Sequence, residues 1–87
     1  MTMELYYSPK FIKSYKKLPI RIKSLAEKKE KLFIKDPFDK SIATHKLHGD
    51  FVGFWAFSVN KSYRIVFDFI DENIVRFYDI GTHDIYK

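Results

Sequence analysis

Cysteine is absent from the 87-residue chain, so neither a disulfide framework nor a thiolate zinc site can hold it together. Glycine and proline are scarce, three of each, and they fall at plausible element boundaries rather than in linkers. No apolar run approaches the roughly 18 residues that a membrane span needs. The opening MTMELYYSPK lacks the apolar stretch of a secretory signal. A Gly-rich phosphate loop and a G-x-S-x-G elbow are both missing, which sets aside P-loop hydrolysis and serine-hydrolase chemistry. What is plentiful is aromatic: nine Phe, six Tyr and one Trp in a chain that is 46% hydrophobic. Such a chain packs a core rather than remaining disordered. The expectation is one soluble, intracellular domain spanning residues 1–87.

Charge is unevenly spread. Up to Leu47 the chain carries twelve basic and five acidic residues, a net +7; from His48 onward it carries four and six, a net −2. A basic half suits a polyanionic partner such as RNA, or an acidic protein segment. The plainer reading is a lysine-rich surface that only solvates helix faces.

The first half has helical periodicity. Glu4-Leu5-Tyr6-Tyr7 is a short β-prone run. Ser8-Pro9 then reads as a helix start, with the hydroxyl as cap and Pro where its missing N–H costs nothing. Phe11, Ile12, Tyr15 and Leu18 follow at helical spacing, and Pro19 interrupts. A second helix is expected from about Ile20 to Lys35, with Ile22, Leu25, Ala26, Leu32 and Phe33 as its apolar stripe. Glu27 and Lys31 could pair on its wet side. Asp36-Pro37 ends it. The second half alternates instead. Phe51–Val59, Tyr63–Ile70 and Ile74–Ile80 read as strands, separated by Asn60-Lys61-Ser62 and Asp71-Glu72-Asn73, with Gly81 stopping the last. Short turns imply an antiparallel meander. The fold class is therefore α+β, a helical hairpin packed on one face of a small sheet whose other face is partly polar.

Few side chains carry obvious chemistry. His45, His48 and His83 have neither Cys nor a close carboxylate set beside them, so no metal or other cofactor is expected. Arg64 lies inside an otherwise apolar strand. It either forms an ion pair with Asp68 or Asp79, the reading composition favours, or presents its fork to a phosphate. Each imidazole suits acid–base work because its ordinary pKa is about 6.5, although a lone loop histidine is usually inert. Tyr86, Trp55 and Phe54 could stack on bases, or belong to the core.

Three stretches, taken in order, are familiar: HKLHGDFVGFWAFSV (His45 to Val59), YRIVF (Tyr63 to Phe67) and DIGTHD (Asp79 to Asp84). Together with SPKFIKSYKKL (Ser8 to Leu18), they resemble the RelE/ParE superfamily of type II toxin–antitoxin toxins. The pattern is most similar to the RelE/StbE and YafQ-like mRNA interferases. Two positions depart from it: Ser62 stands where the group often has Asp, and only Ile85 separates Asp84 from Tyr86, one residue fewer than in many relatives.

The resemblance implies a β-α-α-β-β-β fold and metal-independent cleavage of mRNA in the ribosomal decoding site. There the ribose 2′-OH attacks the neighbouring phosphate, leaving a 2′,3′-cyclic phosphate and a free 5′-OH. Carried over by position, His83 is the expected general acid and Arg64 the phosphate clamp. His45 is the base or a second transition-state stabiliser, and Tyr86 orients the substrate. His48, Lys46, Lys61 and Trp55 are the expected substrate contacts. The implied partners are the ribosome with its mRNA and a cognate antitoxin, in a cytoplasmic hetero-oligomer away from any membrane. A ParE-like gyrase inhibitor and a catalytically weak antitoxin-binding relative are the alternatives.

Overall fold

The computed structural model describes residues 3–86. Along the chain lie β1 (Glu4–Tyr7), α1 (Pro9–Lys16), α2 (Ile20–Lys35), β2 (His45–Lys46), β3 (Trp55–Ser58), β4 (Tyr63–Asp71) and β5 (Ile74–Thr82). Short 3-10 turns occupy Lys40–Ile42, Gly49–Phe51 and His83–Tyr86. The five strands form one sheet in the order β1-β5-β4-β3-β2. β1 runs parallel to β5 and every other pairing is antiparallel.

Both helices start and stop for local reasons. Ser8 Oγ accepts the Phe11 N–H at 3.0 Å, and Pro9 fills the first helical position. The same hydroxyl donates to the Tyr78 carbonyl at 2.6 Å, and the Ser8 N–H donates to the Phe77 carbonyl at 3.0 Å. The cap of α1 is thereby fixed to β5. Pro19 separates the helices, and Asp36, in extended conformation ahead of Pro37, ends α2. Glu27 faces the Tyr15 hydroxyl at 3.4 Å instead of forming the expected pair with Lys31. Tyr7 donates to the Glu30 carboxylate and stacks on Phe11 at 5.3 Å, joining β1 to both helices.

The main core lies between the helices and one face of the sheet. Phe33 of α2 is fully buried. Its ring centre is 4.7 Å from those of Phe57 on β3 and Phe67 on β4, and 5.5 Å from that of Phe77 on β5. Ile22 and Ala26 continue the stripe, and Ile65, Val75 and Ile80 complete the sheet side.

The sheet differs from the sequence reading in four ways. Residues 51–54 are not strand; the chain makes a 3-10 turn at Gly49–Phe51, and β3 begins only at Trp55. Gly81 does not stop the last strand, which runs on to Thr82. β2, only two residues long, adds a fifth strand. Finally, β5 carries an extra residue against β4, since Val66 pairs with Asp79 while Phe67 pairs with Phe77. The bulge leaves Tyr78 without a partner on β4 and turns Asp79 to accept from Ser14 Oγ at 2.7 Å.

Replacing Phe33 by Ala should cost about 3–5 kcal/mol, a large share of what a domain of this size possesses, with urea unfolding as the readout. Tyr7 makes a second prediction. Burial, then its bond to Glu30, raises the Tyr7 phenol well above its ordinary value. The folded protein thus keeps a proton that the unfolded chain loses above about pH 10. This contribution is complete below that pH and disappears as pH rises toward the folded value. Tyr7→Phe should accordingly show a shallower loss of stability above about pH 10 than the parent protein; parallel curves would remove Tyr7 as the cause.

Candidate active site

Strand register decides which side chains can meet. Ser58, Arg64 and Gly81 form one cross-strand row, and His45, Ala56 and Val66 form the next. Residues paired in this way share a face, here the one turned away from the helices. His45 and Arg64 therefore sit on the same surface, two strands and one row apart. Strand spacing and rise put their backbones roughly 12 Å from each other.

That face, expected to be partly polar, carries a core of its own. Ala56 and Val66 are fully buried on it, and with Leu47 they form a second small core. Phe51 and Phe54 from the loop before β3, Tyr78 from the bulge, and Ile85 and Tyr86 from the last turn pack over them. The Leu47 N–H donates to the Phe54 carbonyl at 2.9 Å and closes the loop, while Phe54 lies 5.0 Å from Tyr78. The polar candidates stand on the rim of this layer.

Arg64 is half-buried and forms neither of the ion pairs considered for it. Its strand neighbour Asp68 is engaged by Arg76 in a fork, at 2.8 and 3.1 Å. Asp79 is taken by Ser14, with Lys10 at 3.9 Å. Arg64 instead donates through Nη1 to the carbonyls of Asn60, Lys61 and Tyr63, at 2.7, 3.3 and 3.2 Å. Neutral oxygens hold the guanidinium without cancelling its charge. Asn60 shapes the turn that supplies them, its Oδ1 accepting the N–H groups of Ser62 and Tyr63 at 2.8 and 2.7 Å. Sequence reading placed Asn60 only as a turn residue; its Asx signature was visible, its service to Arg64 was not.

His45 is exposed, with Nδ1 2.9 Å from the Ala43 carbonyl. A carbonyl only accepts, so Nδ1 carries the proton there and, in the neutral ring, Nε2 is the accepting nitrogen. Ala43 presents that carbonyl from a left-handed conformation, φ 50°, which is costly for a residue with a Cβ. His83 follows Thr82 at the end of β5, and Thr82 pairs with Tyr63 beside Arg64. Its exposed ring meets Tyr86 edge-on at 5.9 Å, while Tyr86 is half-buried in the second core. The short tail therefore still brings its aromatic back onto the sheet.

The remaining candidates are more scattered. His48 is exposed at the start of the Gly49–Phe51 turn, and Lys61 is exposed in the β3–β4 turn, where its carbonyl serves Arg64. Lys46 and Trp55 pair with each other on the helix-side face, opposite His45 and Arg64. Strand alternation carries this separation, because neighbours such as His45 and Lys46 must point to opposite faces. Among the described residues no three His, Asp or Glu side chains are grouped so as to hold a metal ion. Among those residues, too, no helix is long and apolar enough to cross a membrane. An apolar cleft of about 310 Å³ opens between α1 and α2, lined by Tyr7, Phe11, Tyr15, Glu27 and Glu30 among others, and none of the candidates borders it.

Gly81 matters for space. A Cβ there would stand 2.6 Å from Ile85 Cγ2, a methyl on a stiff β-branched side chain. The last turn folds onto β5 only because this position is bare. Gly81→Ala should destabilise the protein by about 1–3 kcal/mol and displace the turn that carries His83 and Tyr86. Adding Ile85→Ala should cost less in that background than in the parent, a non-additivity measurable by denaturant unfolding.

Comparison with known proteins agrees with this architecture. No curated protein matches the sequence. Among solved structures, YafQ from E. coli strain BL21(DE3) superposes with a TM-score of 0.79 at 21% identity, over 95% of this chain and 96% of that one. The E. coli DinJ–YafQ toxin–antitoxin complex gives 0.78 at 20% identity, over 98% and 97%. The RelBE2 toxin–antitoxin complex of Mycobacterium tuberculosis gives 0.77 at 15%, over 95% and 100%. The model of the YafQ family, bacterial toxins of type II toxin–antitoxin systems, matches residues 3–86. The chain belongs to that family and is a type II toxin.

Proposed function

We propose that this toxin is a metal-independent, ribosome-dependent endoribonuclease that cuts mRNA at the decoding site and halts translation. The observation that carries the reading is the strand register, which puts Arg64 and His45 on the same sheet face, two strands apart, with His83 directly after Thr82, whose partner Tyr63 adjoins Arg64. In-line attack of a ribose 2′-OH needs a base, positive charge at the crowded phosphate, and an acid for the departing 5′ oxygen. His45 Nε2 takes the 2′ proton, since its Nδ1 is committed to Ala43. Arg64 meets the phosphate oxygens from its carbonyl cradle. His83 protonates the leaving oxygen, and Tyr86, in edge contact with it, orients the imidazole and the substrate.

The toxin works in the cytoplasm, where its ribosomal substrate is found. Its protein partner is a cognate antitoxin, as DinJ is seen with YafQ. An acidic segment of that partner, disordered when alone, suits the basic surface of α1 and α2.

Primer extension on a message translated in a purified bacterial system tests the reading. Cuts phased with the decoding site should appear only when ribosomes are present. His83→Ala, checked to be folded by circular dichroism, should slow them by about 10²–10⁴-fold. Intact message with folded parent protein overturns the nuclease reading. Undiminished cleavage by the variant overturns the role of His83 alone.

A further inference from the structure

Lys46 and Trp55 stand together with no place in the site above. Trp55, the single tryptophan, is half-buried on β3. The Lys46 ammonium lies 5.4 Å from its ring centre. Phe38, from the loop after α2, meets the indole edge-on at 5.4 Å and stacks with Phe69 at 6.3 Å, yet remains 54% exposed. The loop holds it there, since Asp36 Oδ1 accepts the Phe38 N–H at 3.0 Å. Asp39 likewise turns its carboxylate onto Ser41, accepting from both its N–H and its hydroxyl, at 2.8 and 2.7 Å. An exposed ring, a second ring beneath it and a cation alongside are what a single-stranded nucleic acid uses: a stacking surface for a base and a charge for its phosphate.

We infer that Phe38, Trp55 and Lys46 form a base-stacking platform for single-stranded RNA, on the sheet face opposite His45 and Arg64. The inference rests on the reading that this toxin acts on RNA. β2 links the two surfaces, because it is an edge strand of two residues with His45 on one face and Lys46 on the other. An RNA chain passing round that edge presents a ribose to His45 and, further along, a base to Phe38. The platform is a grip on the substrate outside the reacting phosphate and has no chemical role.

The lone tryptophan supplies the test. Purified toxin without ribosomes is titrated with a six-nucleotide oligoadenylate at low salt, and Trp55 fluorescence is followed. Saturable quenching is expected, weakened on the order of tenfold by Phe38→Ala and by Lys46→Gln, and largely restored by Phe38→Tyr. The titration involves no cleavage, so failure of the nuclease assignment would leave this signal intact. Absence of quenching from folded protein overturns the platform, even where ribosomal cleavage is normal. Quenching that survives both Phe38→Ala and Lys46→Gln does the same. A fluorescence change elicited only by a protein partner, and not by RNA, makes this a protein-docking surface and also overturns the inference.

Discussion

One aromatic ring constrains the rest of this molecule. Phe33 reaches from α2 to touch a phenylalanine on each of three adjacent strands. Those contacts require Phe57, Phe67 and Phe77 to point toward the helices. Because side chains on a strand alternate, Ala56, Ser58, Arg64 and Val66 must then point the other way. A slip of one residue in β4 would drive the Arg64 guanidinium into the core and lift Ile65 out of it. The placement of the cation that the candidate site depends on follows from the packing of the opposite face.

The second face turns that placement into a site. Its small core is built from loop and terminal residues that pack against Ala56 and Val66, and this fixes both the loop after β2 and the last turn. Helix α1 secures the same region from the edge. Ser8 binds the carbonyls of Phe77 and Tyr78, and Ser14 binds Asp79, so consecutive residues of the β5 bulge are gripped by one short helix. The bulge lies just ahead of Gly81, Thr82 and His83. The register of the final strand, and with it the position of His83, is thus set by hydroxyl groups some 65 to 70 residues earlier in the chain.

What could be read from the sequence was local. Ser8-Pro9 and Asp36-Pro37 mark helix ends through caps and fixed dihedrals, and α2 occupies Ile20–Lys35 as its periodicity predicts. The alternation Tyr63, Ile65, Phe67 likewise identifies β4 and its inward face. What escaped is non-local or turns on competition between partners. The parallel pairing of β1 with β5 joins residues about 70 apart, which no window of sequence contains. Asp68 was a reasonable partner for Arg64, but Arg76 lies directly across from it and offers two parallel bonds. Residues 51–54 are aromatic enough to mimic a strand, yet their rings fold over the sheet instead of extending it. The resemblance in His45 to Asp84 indicated which residues to compare; register alone shows that Lys46 and Trp55 fall on the other face.

The candidate site also differs from an ordinary enzyme pocket. His45 and His83 are exposed on a rim, and the apolar cleft between the helices lies on the other side of the sheet. Such a rim supplies charge and proton-transfer groups on well-anchored backbone, which is one part of catalysis. It encloses nothing that would hold a flexible RNA backbone with its 2′ oxygen in line with the scissile bond. Alignment of that kind accounts for several kcal/mol of a typical enzymatic barrier reduction, on the order of 7–11 in favourable cases. Under the proposed function that contribution comes from the surface gripping the message. On that proposal, dependence on the ribosome is the physical complement of an open site: one partner would bring the reacting groups, and the other the geometry.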